Sequence, residues 1–462
     1  MQRLTESEPL RCFKAYDVRG RIGVELDEAV ARRIGRAAAR VLSPRLVVVG
    51  HDARASSPGL AAALAEGLRE GGAGVCDIGL CGTEEVYFAT GRLPADAGIM
   101  VTASHNPIDY NGMKLVGPGS RPLSEAEFAA IRDAAADPGT APAAGQGGLE
   151  TRDLRPAYAA HVADQVRAEA LGPMRIVTDA GNGTAGLALD AIAAELARRG
   201  ARLDLVRVRH EPDAGFPHGI PNPLVPENRA LTAAAVREAG ADLGVAWDGD
   251  FDRCFLFDAT GAFVPGEYVV ALLARAVLAR EPGAAIVHDP RVIWAIEETV
   301  AREGGRAVAA RTGHAFVKAA MRESGAAYGG EMSAHHYFRD FYFCDSGMIP
   351  WLRIVELLSA SGQSLAEAVA ELRARHPSSG EINFEVPDPA AAIARVEARL
   401  APDAEAVDRR DGLGLGFGAW RLNLRASNTE PLLRLNLETR GDAELLRRKT
   451  AELTALIGAG AG

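Results

Sequence analysis

The chain has 462 residues, 48% apolar and 24% charged, which is ordinary for a globular protein and long enough for several packed domains. A net charge of -10 and the lack of a long basic stripe argue against a nucleic-acid binder, though a few clustered arginines could still hold a small anionic substrate. Five scattered cysteines without a C-x-x-C, a polar N-terminal stretch and no run of membrane-spanning length lead us to expect a cytoplasmic protein without disulfides, zinc or a membrane partner.

Periodicity then sets out alternating elements. Helical spacing over 26–42 and 58–70 predicts helices, and short apolar runs over 46–50, 76–78 and 97–101 predict strands. Ser124-Glu125-Ala126-Glu127 is a capping box that opens another helix. The βαβα order predicts a mainly parallel sheet. Residues 138–148, rich in Pro, Gly, Ala and Gln, read as a linker.

The pattern restarts after the linker, with a strand over 175–178, a turn at Asp179-Ala180-Gly181-Asn182-Gly183 and a helix over 185–199. A strand over 242–246 follows, then strands over 255–257 and 262–264 around Asp258-Ala259-Thr260-Gly261 as a hairpin turn. A third restart has a helix over 267–278, a strand over 285–287 ending at His288-Asp289, and a strand over 326–329. Each segment has an early strand ending near an aspartate (Asp52, Asp179 or Asp289) and a later one emptying into a polar loop. The likeness is one of pattern, not of sequence identity.

Beyond about His376 the character changes. Alternating residues over 381–386, 420–425 and 432–437 predict antiparallel strands with one wet face, and helices are expected over 389–400 and 443–457. The glycine-rich run 412–418 lacks the following helix of a nucleotide site and is expected to be a flexible loop. The expected fold class is α/β: three similar mixed α/β domains over 1–148, 149–261 and 262–374, plus a smaller C-terminal α+β domain over 375–462.

Four loops carry chemistry. Asp248-Gly249-Asp250-Phe251-Asp252-Arg253 follows an apolar strand and alternates three carboxylates. Extended alternation aims them to one side, as a hard divalent cation requires, whereas a solvated acidic turn would leave three like charges uncompensated. Val101-Thr102-Ala103-Ser104-His105-Asn106-Pro107 is the loop at a strand's C-terminal end, where open α/β sheets bind ligands. Ser104 is either a turn cap or a nucleophile; no G-x-S-x-G elbow supports acyl transfer, and the acidic loop favours a metal-bound phosphoryl acceptor.

Gly330-Glu331-Met332-Ser333-Ala334-His335-His336 offers a carboxylate, a hydroxyl and an imidazole, a set that suits sugar hydroxyls. Its other reading is a surface glutamate and a core histidine; adjacent histidines diverge in a strand, which argues against zinc. Arg425-Ala426-Ser427-Asn428-Thr429-Glu430-Pro431, with Arg434, is either an anion cradle or an ordinary polar turn before a strand.

These loops, with Phe13-Lys14-Ala15-Tyr16-Asp17-Val18-Arg19-Gly20, stand in an order and spacing that resembles the α-D-phosphohexomutases, and within them the bacterial phosphomannomutase/phosphoglucomutase group. The resemblance spans essentially the full length. It implies four domains around a central cleft and interconversion of mannose 1-phosphate and mannose 6-phosphate, with the glucose pair also expected. It implies a phosphoserine at Ser104, Mg2+ held by Asp248, Asp250, Asp252 and a phosphoserine oxygen, and a hexose 1,6-bisphosphate as intermediate and activator. Glu331 and Ser333 would grip the sugar O3 and O4. Arg425, Ser427, Asn428, Thr429 and Arg434 would hold the phosphate that does not react. Tyr16, Arg19, Lys114, Arg253, Arg291, His314 and His335 would line the cleft, with Lys114 and His335 the candidates for general base. His105 is expected to shape the loop instead.

Two departures stand out. Arg291 sits where many members have lysine, and Ala334 replaces the usual glycine of the sugar loop. Gly181-Asn182-Gly183 and Pro221-Asn222-Pro223 also look familial, without an assigned role. A hinge is expected near Ser378-Ser379-Gly380. The implied partner is a small phosphosugar that feeds polysaccharide precursors, and the chain would be a monomer or a dimer. Phosphoglucosamine mutase, a Mg-dependent sugar phosphatase and a non-catalytic sugar-phosphate sensor are the rival readings.

Overall fold

The computed structural model describes residues 10–137, 145–426 and 432–458. The chain forms two compact units. One comprises Met1–Phe263 with Phe338–Ser361, the other Val264–Tyr337 with Gly362–Gly462.

The first unit opens with a sheet in which Val18–Arg21, Tyr110–Val116, Ala97–Val101, Leu46–His51, Gly74–Leu80 and Leu149–Thr151 lie side by side in that order. Leu46–His51 runs parallel to both of its neighbours, whereas Tyr110–Val116 is antiparallel to both of its own. The sheet is therefore mixed rather than mainly parallel. The loop after Val101 is too short for the crossover that a parallel strand needs, so the chain turns straight back.

Helices Glu28–Leu42 and Ser57–Glu70 cover one face, with Ile34 and Leu64 packed on Val47, Val49, Ile99 and Val101. They approach backbone to backbone through two glycines: a Cβ on Gly35 would lie 2.3 Å from the Leu64 carbonyl oxygen. The expected capping box at Ser124 is present, with Glu127 N–H donating to Ser124 Oγ and Ser124 N–H to Glu127 Oε2. Thr83–Arg92 covers the other face through Val86 and Ala89.

The second sheet orders Cys254–Asp258, Leu243–Trp247, Met174–Asp179 and Leu203–Val208, with the first pair antiparallel and the others parallel. The hairpin after Asp258 closes as expected, but the strand over 262–264 is reduced to one bridge between Phe257 and Phe263. Helix Met348–Ser361 belongs with this unit: its Met348 N–H donates to the buried Glu84 carboxylate, and Trp247 Nε1–H donates to the Gly347 carbonyl.

In the second unit, Arg306–Ala309, Ala285–His288 and Tyr328–Gly330 run parallel, and helix Gly266–Arg280 is buried on nearly every side. Its other sheet is antiparallel in the order Ser378–Glu385, Leu432–Thr439, Trp420–Ala426, Leu413–Gly416, Ala406–Asp408. Helices Pro389–Leu400 and Ala443–Gly458 pack on it through Val396, Leu453 and Ile457. The run over 412–418 is thus not a flexible loop. Leu413 and Leu415 belong to the core, and Gly414 between them pairs with Asn423 on the neighbouring strand. Near the expected hinge the pairing slips between Ser378 and Glu381, and Gly380 takes φ +65°.

The repeat reaches further than pattern. His51-Asp52-Ala53-Arg54 and His288-Asp289-Pro290-Arg291 share H-D-x-R. At all three strand ends the aspartate accepts a backbone N–H two residues on: Arg54, Gly181 and Arg291, each at 3.0 Å. Each aspartate also faces an arginine: Arg54, Arg209 or Arg291. All five cysteines are buried and none is in a disulfide. No helix among the described residues is long and apolar enough to cross a membrane. Of the expected linker, residues 138–144 lie outside the described residues.

Candidate active site

Strand Ala97–Val101 is buried throughout and delivers the polar loop to its C-terminal end. Ser104 is itself buried and sits at φ +48°, a conformation that side chains bearing a Cβ leave unless they are held. Its N–H donates to Thr102 Oγ1 at 2.8 Å. Arg19 holds the start of the loop by donating to the Thr102 carbonyl at 3.0 Å. Tyr16 is among the more exposed large side chains of this unit, at 38%.

The acidic loop arrives in the same way, from the buried strand Leu243–Trp247. Asp248, Asp250 and Asp252 are all buried, and each presents an oxygen within 4.8 Å of the others. Ser104 Oγ donates to Asp248 Oδ2 at 2.7 Å, joining the two loops predicted from sequence. Three buried carboxylates this close repel unless cations offset them. Lys114 pairs with Asp250 at 2.7 Å and also with Asp252, and Arg253 donates to Asp248 at 3.0 Å.

Oxygen-only donors in this grouping suit a hard cation such as Mg2+. One further observation fits that use: Asp250 Oδ1 is buried and accepts no hydrogen bond from the described residues. A buried carboxylate oxygen left so is costly unless something else takes it up.

These charges set each other's protonation. Burial alone would raise the Asp250 pKa, but the Lys114 ammonium outweighs it and holds the carboxyl below its usual range. Burial would likewise lower Lys114, yet Asp250 and Asp252 raise it well above an ordinary lysine. Lys114 is therefore protonated as it stands, a cation held by the two aspartates. His105 Nδ1 lies 3.1 Å from Ser104 Oγ and also meets Arg253, whose charge holds the imidazole well below its ordinary pKa.

The familial Gly181-Asn182-Gly183 turn acquires a structural part. Thr184 N–H donates to the Gly249 carbonyl at 3.3 Å, and a Cβ on Gly183 would lie 2.6 Å from that same oxygen. Phe251 is buried at φ +45°, and a Cβ on Gly82 would fall 2.0 Å from its ring.

In the second unit, the sugar-type loop follows strand Tyr328–Gly330. Glu331 accepts Gly313 N–H at 2.7 Å and Tyr337 O–H at 2.6 Å, which orients both oxygens and leaves each a further lone pair. His314 begins helix His314–Ser324 immediately after Gly313, which takes φ +121°. Ser333 and His335 are half-buried, and His335 stacks on Tyr337. His336 turns inward against Tyr328 Oη at 2.8 Å, and burial, with some help from His335, pulls its pKa down to about 3. The two histidines diverge as expected, and His336 is the core histidine.

Ala334 is buried at φ +70°, where the Glu331 carbonyl accepts its N–H at 3.0 Å. A glycine there would escape the left-handed penalty. Ala334→Gly is therefore expected to stabilise the protein by about 1 kcal/mol, visible as a rise in Tm of roughly 2 °C by calorimetry.

Arg291, Arg425 and Arg434 all converge on Glu381, at 3.4, 3.3 and 3.3 Å. Asp289 takes the rest of Arg291 and also accepts Met332 N–H at 2.9 Å, tying the sugar-type loop to the H-D-x-R turn. Ser427, Asn428 and Thr429 lie outside the described residues. Three residues escaped sequence reasoning: Arg54, which grips the serine loop; Thr83, whose hydroxyl donates to Asp250 at 2.6 Å; and Glu381. Only the repeated H-D-x-R signalled any of them, and it signalled Arg54 alone.

Comparison with known proteins agrees along the whole chain. The models of the phosphoglucomutase/phosphomannomutase alpha/beta/alpha domains I, II and III match residues 10–140, 156–261 and 265–376, and that of the C-terminal domain matches 381–455. A phosphomannomutase of Salmonella montevideo is 53% identical over 453 residues, covering 97% of this chain and 99% of the relative. A protein named phosphohexose mutases from Xanthomonas campestris pv. campestris is 55% identical over 449 residues, with 97% and 99% covered. A crystal structure of a phosphoglucomutase/phosphomannomutase family protein from Burkholderia thailandensis superposes with a TM-score of 0.86 at 32% identity, covering 100% of this chain and 99% of that one.

Proposed function

The chain belongs to the phosphoglucomutase/phosphomannomutase family and is a phosphohexomutase, an isomerase; from that premise we propose that it interconverts mannose 1-phosphate and mannose 6-phosphate, and the corresponding glucose phosphates, through a phosphoserine at Ser104. The observation that carries this reading is the 2.7 Å bond from Ser104 Oγ to Asp248 within a buried set of three carboxylates. A hydroxyl in that setting is suited to carry a phosphoryl group rather than an acyl group.

The phosphoryl group passes from Ser104 to the free oxygen of the substrate, whose proton goes to a base while the departing serine oxygen takes up a proton, giving a hexose 1,6-bisphosphate and free serine. After the bisphosphate reorients, its other phosphoryl group returns to Ser104, which gives up its proton as the departing sugar oxygen gains one, and the isomeric monophosphate leaves. Asp248, Asp250 and Asp252 would hold Mg2+, which when bound offsets charge on the transferring group. Arg253 and Lys114 lie beside those carboxylates and add positive charge at the same place. Lys114 and His335 are the two candidates for the base. Glu331 and Ser333 would take the sugar hydroxyls, with His314 beside them, and Arg291, Arg425 and Arg434, together with Ser427, Asn428 and Thr429, the spectator phosphate. Tyr16 and Arg19 complete the reading. The domain limits 1–148, 149–261, 262–374 and 375–462 are proposed with it.

The test is direct. Purified protein is given Mg2+, a trace of glucose 1,6-bisphosphate and mannose 1-phosphate, and both mannose 6-phosphate and inorganic phosphate are measured. Formation of the 6-phosphate with no more than trace free phosphate is expected. Stoichiometric phosphate release would instead make the protein a sugar phosphatase, and faster turnover of glucosamine 6-phosphate would change the substrate.

A further inference from the structure

We propose that Arg54 is a positioning residue for phosphoryl transfer: one buried guanidinium, gripping four carbonyls, holds Ser104 in its left-handed conformation. The proposal rests on the reading of Ser104 as the phosphoryl carrier. Arg54 is only 1% exposed, although it carries a charge and lies on a turn. Its Nη1 donates to the Pro107 carbonyl at 2.8 Å and the Tyr110 carbonyl at 3.1 Å. Its Nη2 donates to the Ser104 carbonyl at 2.9 Å and the Asn106 carbonyl at 2.6 Å. All four Nη hydrogens are thus spent on one loop, and one goes to the strained residue itself.

The geometry does two things. A segment at φ +48° relaxes unless its surroundings over-determine it, and a planar fork fixes several carbonyls at once. It also turns four carbonyl dipoles toward a cation, so that their negative ends do not face a phosphoryl dianion on the serine. Asp52 holds Arg54 in turn: it accepts Arg54 N–H at 3.0 Å and Ser57 O–H at 2.5 Å, and its Oδ2 lies 3.5 Å from Arg54 Nε. On the far side, the Ser104 carbonyl lies 2.9 Å from where a Cβ on Gly249 would stand, so the acidic loop closes over the same atom.

The internal repeat supplies a control. Arg291 occupies the same place in the second H-D-x-R turn, yet its fork goes to Asp289 and Glu381 and, among the described residues, to no loop carbonyl. The turn does not itself demand the four-carbonyl grip. That grip occurs where the serine is.

Arg54→Lys keeps the charge beside Asp52 and removes the fork. We expect kcat for mannose 1-phosphate to fall about 100-fold, the scale of a misplacement of about 1 Å, with KM within about threefold. Transfer from glucose 1,6-bisphosphate to Ser104, followed by intact mass, should slow by a similar factor. A merely structural role would lower Tm and the folded yield but leave kcat per phosphorylated molecule unchanged, and that result would overturn the proposal. In Arg54→Ala, guanidinium at low millimolar concentration should restore part of kcat, whereas equal NaCl should not; no rescue beyond NaCl counts against the fork. If neither variant folds, the arginine is a fold requirement and the proposal falls. Ser104→Ala run in parallel separates the two ideas. If that variant still takes up phosphate or turns over substrate, the serine reading fails; if it is inert while Arg54→Lys is normal, only the Arg54 proposal fails.

Discussion

Ser104→Ala is expected to lower mutase activity by at least about a thousandfold, some 4 kcal/mol in transition-state free energy, because no covalent route remains for the phosphoryl group. The loss should come without unfolding. The hydroxyl donates to Asp248 and also meets His105 and Arg253, contacts worth about 1 kcal/mol each, and Asp248 keeps its bond from Arg253. Alanine at φ +48° is no worse placed than serine, so no new strain enters. Incubation with glucose 1,6-bisphosphate should add the mass of one phosphoryl group to the natural protein and none to the variant. A variant that turns over at the natural rate would remove Ser104 from the reaction.

Asp250→Asn should act through the metal. The substitution keeps the shape of the loop and the contact with Thr83, but takes away a charge where Lys114 and the cation both seek one. The Mg2+ concentration for half-maximal activity should rise at least about tenfold and kcat should fall about a hundredfold, as expected when a ligand or charge partner at a metal is lost. A second readout is independent of turnover. Mg2+ bound to the folded state raises Tm by mass action, and that rise should shrink sharply in the variant. The same Mg2+-dependent shift in both proteins would mean that Asp250 does not hold the ion.

Much of the candidate site was legible because its groups are local in sequence. Asp248, Asp250 and Asp252 lie within one short loop, and Ser104 sits directly after a buried apolar strand. Such patterns survive without knowledge of the fold. The repeated H-D-x-R marks Arg54 but not its grip: its four partners are carbonyls more than forty positions away, and carbonyls carry no sequence signal. Glu381 was hidden in the same way. On a strand it reads as the wet face of an alternating pattern, and only the approach of Arg291, Arg425 and Arg434 gives it another meaning.

The fold divides along the same line. Helix and strand periodicity, the capping box at Ser124 and the three restarts are local, and the residues carry them, apart from the strand expected over 262–264, which is a single bridge. The mixed sheet, the ordered run at Leu413–Gly416 and the pairing of Phe338–Ser361 with the first unit depended on contacts across the chain. By itself the sequence determined which residue types stand at which strand ends, and so the kind of chemistry available: a hydroxyl, three carboxylates and several arginines. Tertiary structure alone decided which of these groups meet and in what protonation state. Distances between segments and the burial that strengthens charge on charge exist only once the chain has packed. That is why Lys114 is a cation shared by two aspartates, and why Ser104 is held at an angle its own side chain disfavours.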